Sequence, residues 1–370
     1  FNNGATGTVT TATATSITVT FDGAPTSVGS LTAVVTSNSI SSGTAVGVAN
    51  VIPTVAISNS PLAINASQVV ITGVGFSSTP SNNTVSFNNG AVGTVTASTS
   101  TSLTVALTVN PTAVGDLTAQ VFTTGNSVGT AAAKVATVVP VVTASATSLA
   151  ADGTLEINGF GFDATTLANN TIEFSSGVGT VTAATPIKLT VSFSPATVGN
   201  TPATAGDLTA VVTVGVVANT SAVKVAEVKP VVTSSSQSLA AGATTLTIDG
   251  YGFASAFANN TVTFNALSGA AGTVTASTAT TLTVTLDTPP TKAGILTAIV
   301  TAAGASSGTH VQVALVAPVV TTSATALGIN GLSIEINGSL FDTTPANNTV
   351  VFNNGAVGTV RLATATMLTV

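Results

Sequence analysis

Apolar and polar residues alternate along most of the chain. From residue 141 the segments VVTAS (141–145), TLEING (154–159), TIEF (171–174), GTVTA (179–183), KLTVSF (188–193), DLTAVVTV (207–214) and AVKVAEV (222–228) set an aliphatic or aromatic residue at every second position. That is the period of a half-buried strand, so the segments predict seven short strands. The most apolar stretch, LTAVVTVGVVA (208–218), is broken by Thr and Gly well before the ~18 residues a spanning helix needs. No membrane span is expected in this segment.

The same series recurs down the chain. A Phe before a turn stands at Phe1, Phe87, Phe174, Phe264 and Phe352, at spacings of 86 to 90 residues. Pro53, Pro140, Pro230 and Pro318, then Phe76, Phe162, Phe253 and Phe341, then Leu31, Leu117, Leu208 and Leu296, keep that step. Such self-similarity is the mark of a tandem array. Counting each unit from its Pro divides the chain into residues 1–52 (the C-terminal part of a repeat), three whole repeats at 53–139, 140–229 and 230–317, and 318–370 (the N-terminal part of another). The partial ends read as a window on a longer polypeptide rather than as halves that complete each other. Seven short strands per unit predict an all-β fold, a tandem array of immunoglobulin-like β-sandwich domains. The Val228-Lys229-Pro230-Val231 junction has no Gly/Ser linker and Pro fixes φ, so the array is expected to be an elongated rod. Asn89-Gly90 predicts a two-residue hairpin turn, with Phe87 facing the core before it and Val92 or Val95 after it.

Composition narrows the function. Charged residues are 5% of the chain and hydrophobic residues 44%, and mean hydropathy is +0.62. A disordered chain carries more charge and fewer β-branched residues. A membrane β-barrel carries aromatic girdles, whereas this chain has no Trp and one Tyr. The net charge is -6 with no basic cluster, which argues against nucleic acid as a partner. With no Cys there is no disulfide framework and no thiolate metal site.

An opening Pro, a Gly-flanked strand ending in G-x-G-F (GVGF, GFGF and GYGF, with GSLF at 338–341), a V/I-x-F strand, and a Pro before the later strands (Pro111, Pro195, Pro289) together resemble the IPT/TIG group of immunoglobulin-like domains. The resemblance runs over nearly the whole chain. It implies binding or spacer modules without catalysis of their own, frequent in tandem on bacterial surface proteins.

The ionisable inventory offers no enzyme. His310 is the only His and stands where other copies have Ala, so it reads as a surface residue. Asp116 and Asp207 align with Ser30 and Ile295, and Asp163 and Asp342 with Ser77 and Ala254. Glu156 and Glu335 likewise align with Val70 and Thr247. No acid is kept through all copies, so a repeated calcium site, which needs several oxygens, is a minor alternative to solvated surface acids, and no other cofactor is expected. Lys134 and Lys224 share a position; an isopeptide bond to Asn is weighed there against an outward-facing strand residue, which alternation favours. One polar feature is kept. Asn82, Asn169, Asn259 and Asn347 each open an Asn-Asn-Thr triplet, an N-x-[ST] glycosylation acceptor, although an Asn-rich turn feeding a strand is the simpler reading.

The expectation is a structural, non-enzymatic component of a secreted or cell-surface filament, sheath or stalk, assembling with itself through repeat contacts or edge strands. The alternative is the stalk of an adhesin whose glycan- or host-binding domain lies outside this segment.

Overall fold

The computed structural model describes residues 1–124, 129–193, 201–202, 204–353 and 355–370. Pro195 falls outside them. Strands dominate, and the helical turns among the described residues are 3-10 turns of three residues such as Phe257–Asn259.

Residues 230–317 show one repeat in full. One sheet orders Val231–Val232, Thr245–Tyr251, Thr281–Thr288 and Ala271–Ser277, all antiparallel. The other orders Ser238–Ala240, Val311–Ala317, Gly294–Ala302 and Asn260–Phe264, with Ala305–Ser306 folded back on Gly294–Ala302. The N-terminal segment is shared between the sheets. Val231–Val232 joins the first and Ser238–Ala240 joins the second, pairing parallel with the closing strand, so the two layers are tied at one edge. The repeats at 53–139 and 140–229 have the same two sheet orders.

Alternation builds the core directly. In Gly294–Ala302, Leu296, Ala298, Val300 and Ala302 are all fully buried, because side chains two apart share a face. Leu296, Ala298 and Val300 meet Leu246, Ile248, Leu282, Val284 and Phe253, each large side chain stabilising the domain by roughly 1.5–3 kcal/mol. All seven strands expected in 140–229 are present. Ser148–Ala150 and Val217–Ala218 are additional strands, too short for any periodicity to register.

The hairpin expectation is corrected. Asn89 and Gly90 have the expected positive φ, 54° and 70°, yet the flanking strands do not pair with each other. Asn83–Phe87 pairs with Gly115–Thr123, and Val92–Ser98 pairs with Ser102–Val109. The turn therefore carries the chain from one sheet to the other. Alternation specifies which face of a strand is buried but not which strand lies beside it. Phe87 packs on the core, and of the two valines it is Val95 that is buried while Val92 is exposed.

Residues 1–52 contain the pairs Thr6–Ala12 with Ile17–Gly23, Gly29–Ala33 with Val46–Val51, and Thr36–Ser37 with Ile40–Ser41. Residues 318–370 form one sheet over a small core of Phe341, Val360, Leu368 and Val370.

Candidate functional site

One polar loop recurs from repeat to repeat. In the Asn-Asn-Thr triplets it is the second Asn that grips the backbone of the preceding loop. Asn83, Asn170 and Asn260 are buried, and each binds a backbone segment six or seven residues earlier through both halves of its amide. The Asn83 Oδ1 accepts from the Ser77 N–H at 2.9 Å while its Nδ2 donates to the Ser77 carbonyl at 2.8 Å. Asn170 holds Asp163 in the same way at 2.9 and 2.7 Å, and Asn348 holds Asp342 at 3.0 and 2.7 Å. A side-chain amide thus stands in for a missing strand neighbour. The acceptor residues named from sequence lie one step earlier, at the end of a 3-10 turn. Asn169, Asn259 and Asn347 are exposed and Asn82 is half-buried.

The G-x-G-F motif has two separate causes. A Cβ on Gly250 would lie 2.1 Å from the Val231 carbonyl oxygen and 2.5 Å from Phe253 Cζ; the ring of the motif covers its own first glycine, and only hydrogen fits. The second glycine, Gly161 or Gly252, has φ of 83° or 73°. At the fourth copy Leu340 takes that place with φ 61°, a conformation costing about 1–2 kcal/mol for an L side chain. Its side chain packs against the core of residues 230–317.

The scattered charges do not converge. Asp163 is a half-buried loop residue whose carboxylate accepts from Asn169 Nδ2 at 2.7 Å, Thr165 Oγ1 at 2.7 Å and the Thr165 and Thr166 N–H groups at 2.8 and 2.9 Å. The Asn169 amide, then the Thr165 hydroxyl and the two backbone donors, hold its pKa far below the usual carboxylate range. Asp342 is lowered by the Thr344 N–H and then by Asn347. Lys134 pairs with Asp116 at 2.6 Å, and Lys224 with Asp207 at 2.5 Å; the Asp207 hydrogen bond raises the Lys224 pKa. These lysines meet a carboxylate on the neighbouring strand and not the Asn weighed from sequence, and where Lys is replaced, by Gly47 or Gln312, Asp is replaced too, by Ser30 or Ile295. Glu156 pairs with Lys188 at 2.8 Å. His310 is exposed beside the start of the closing strand. Among the described residues no three His, Cys, Asp or Glu side chains are grouped as metal ligands would be, and no helix is long and apolar enough to cross a membrane.

What does recur is the joint between repeats. Val139 runs through buried Pro140 into Val141, and Lys229 through buried Pro230 into Val231. Val141 packs on the core of residues 53–139, and Val231 with Tyr251 on the core of residues 140–229. The Gly161 turn faces Ile64 and Val114, and the Gly252 turn faces Ala151. The Ala205 N–H donates to the Gly252 carbonyl at 3.0 Å, and Ala205 closes an apolar contact with Ala302 and Ala305. Beside Ile64 and Val114 the preceding joint leaves a cleft of about 810 Å³, reached by Phe160, Ile187 and Val216.

Residues 230–314 match the IPT/TIG domain. The chain is a tandem array of immunoglobulin-like domains. Among solved structures it is similar to an I-band fragment of titin, I67–I69, at 13% identity and TM-score 0.22, over 72% of this chain and 95% of that one. It is also similar to the plexin A4 extracellular region at 9% identity and TM-score 0.22, over 86% of this chain and 34% of that one. A third is SGBP-B of Bacteroides ovatus in complex with a mixed-linkage heptasaccharide, at 14% identity and TM-score 0.21, over 75% and 73% of the two chains. No curated protein matches the chain.

In these immunoglobulin-like domains the sheet edges differ. The strand Ala271–Ser277 carries a bulge between Val274 and Ala276, and Val92–Ser98, Thr180–Thr185 and Thr6–Ala12 carry it at the same place. The extra residue is always Thr, and the Oγ1 of Thr10, Thr96, Thr182 and Thr275 donates to the carbonyl of Thr18, Thr104, Thr190 and Thr283, respectively. Sequence reading did not find this lock. Its signal is the repeated G-T-V-T run, in which Gly93 and Gly272 press so close to the adjacent strand that a Cβ would come within 2.8 Å of it.

Proposed function

We propose that the chain is a load-bearing or spacing stretch of an extracellular filament, sheath or stalk, built of immunoglobulin-like domains and associating with further copies. The observation that carries this reading is the joint. A flexible linker would leave each domain to tumble independently. At the joints after Val139 and Lys229 a buried Pro and an apolar residue seated on the preceding core join one domain to the next, and at the second the Ala205 N–H also donates to the Gly252 carbonyl. Apolar burial at a junction restrains relative motion in proportion to its area. The sparse ionisable groups, none of them converging, support a structural role over a chemical one.

Electron microscopy of the purified array tests it. Uniform stiff rods bundling laterally or end to end support the filament or sheath, and separate stiff rods support a stalk for an active domain elsewhere. Beads that articulate freely at every joint overturn both. The acceptor residues Asn82, Asn169, Asn259 and Asn347 belong to the same reading, since glycans on them would decorate the rod once per domain; intact mass after glycosidase treatment of the native protein decides this.

A further inference from the structure

Each domain has four sheet edges, and three of them are closed. Val231–Val232 and Ser238–Ala240 are two and three residues long, too short to template another chain, and Ala271–Ser277 is bent by its threonine-locked bulge. Short strands and bulges are the ordinary means of blunting an edge. The fourth edge has neither. We propose that the outer edges of Asn83–Phe87, Asn170–Phe174 and Asn260–Phe264 are the surfaces through which two copies of this chain pair, strand against strand and antiparallel. The inference rests on the associating-rod reading above and names its interface.

The register decides which backbone groups are on offer. The Thr124 N–H donates to the Asn82 carbonyl, and the Asn88 N–H to the Thr118 carbonyl. An antiparallel ladder alternates, so Thr84 and Ser86 bond the neighbouring strand while Val85 and Phe87 turn N–H and C=O outward. Gly215 with Asn169 and Ser175 with Thr209, then Ala303 with Asn259 and Asn265 with Thr297, fix the same phase in the next two domains. There Ile172 with Phe174 and Val262 with Phe264 face out. None of the three strands shows a register shift, and among the described residues no strand pairs on their outer side.

Charge selects the partner. The strands NTVSF and NTVTF are uncharged in a chain of net charge -6, so two of them meet with no like charges opposed. Their solvent-facing residues are Thr84, Ser86, Thr261 and Thr263. Placed opposite one another across a two-fold axis, these form favourable Thr–Thr and Thr–Ser pairs. A charged foreign strand finds no counter-ion there. The repetition of the edge in successive domains raises the effective concentration of each further contact. Glu173 is the exception, an acid that weakens the middle domain's edge.

Sedimentation velocity of the full chain over a concentration series tests the assignment. Glu173→Thr installs the residue the next domain carries, so its fold is safe, and it is expected to tighten association. Ser86→Glu with Thr263→Glu is expected to weaken association by about tenfold or more, like charges opposite one another being unfavourable. Thr94→Glu with Thr180→Glu on the bulged edge is expected to change nothing. Amide exchange at Val85 and Val262 should slow as copies associate. Association indifferent to Ser86→Glu with Thr263→Glu, or sensitive to Thr94→Glu with Thr180→Glu instead, overturns the edge assignment and leaves the rod reading standing. Monomers at every concentration that are still stiff in micrographs overturn the edge assignment together with self-association and leave only the stalk, whereas monomers articulating freely at each joint overturn the rod as well.

Discussion

The Asn260 side chain holds Ala254 by both of its backbone groups, accepting from the N–H at 2.9 Å and donating to the C=O at 2.7 Å, with a further bond to the Ala256 carbonyl at 3.3 Å. Asn259, its neighbour in sequence, is exposed.

Asn260→Ala leaves a buried N–H and C=O without partners, at a cost of roughly 2–4 kcal/mol. Asn259→Ala should fall within about 0.5 kcal/mol of the parent, as exposed substitutions do. Hydrogen exchange followed within residues 230–317 compares the two variants, because Tyr251, the chain's single Tyr, packs on the preceding domain and would report the joint as well.

Gly250→Ala and Gly242→Ala separate the two uses of glycine. The first drives a Cβ to 2.1 Å from the Val231 oxygen and is expected to cost about 3 kcal/mol or more through overpacking. The second meets open space at φ 76° and should cost only about 1 kcal/mol of backbone strain. Hydrogen exchange within the same residues measures both.

Asp163 makes residues 140–229 acid-sensitive in a way their neighbours are not. Its folded pKa is depressed by Asn169, Thr165 and Thr166, so the unfolded state binds its proton first. The stabilisation is present above the ordinary carboxylate pKa of about 3.9 and is lost as pH falls through and below it. Asp163→Asn should remove that loss. Residues 53–139 and 230–317 have Ser77 and Ala254 at this place and should not show it. Hydrogen exchange measured domain by domain through the acid range checks the order.

Ala305→Asp sets a charge into the contact with Ala205 and Ala302. An unpaired buried charge is expelled rather than tolerated, so the joint should open while both domains stay folded. Small-angle scattering should show a broader distribution of end-to-end distances, with Tyr251 more exposed to a collisional quencher.

Much of this architecture is legible in the order of residues. Alternation gave the strands and their buried faces, and the recurrence of Phe, Pro and Leu-Thr-Ala gave the array, because both depend on spacing along one chain. Asn89-Gly90 shows where that stops. Its backbone conformation followed from residue type, but the strands on either side belong to different sheets, and only the packing of two layers determines that. The Asn-Asn-Thr triplets show it again: sequence marked the first Asn by its acceptor pattern, and folding set the second against the backbone of the loop six or seven residues back, where it binds both N–H and C=O. The joints, the threonine locks and the open edge are likewise tertiary. Each is a relation between segments distant in sequence, fixed by which backbone groups and apolar faces remain unsatisfied once the strands have paired.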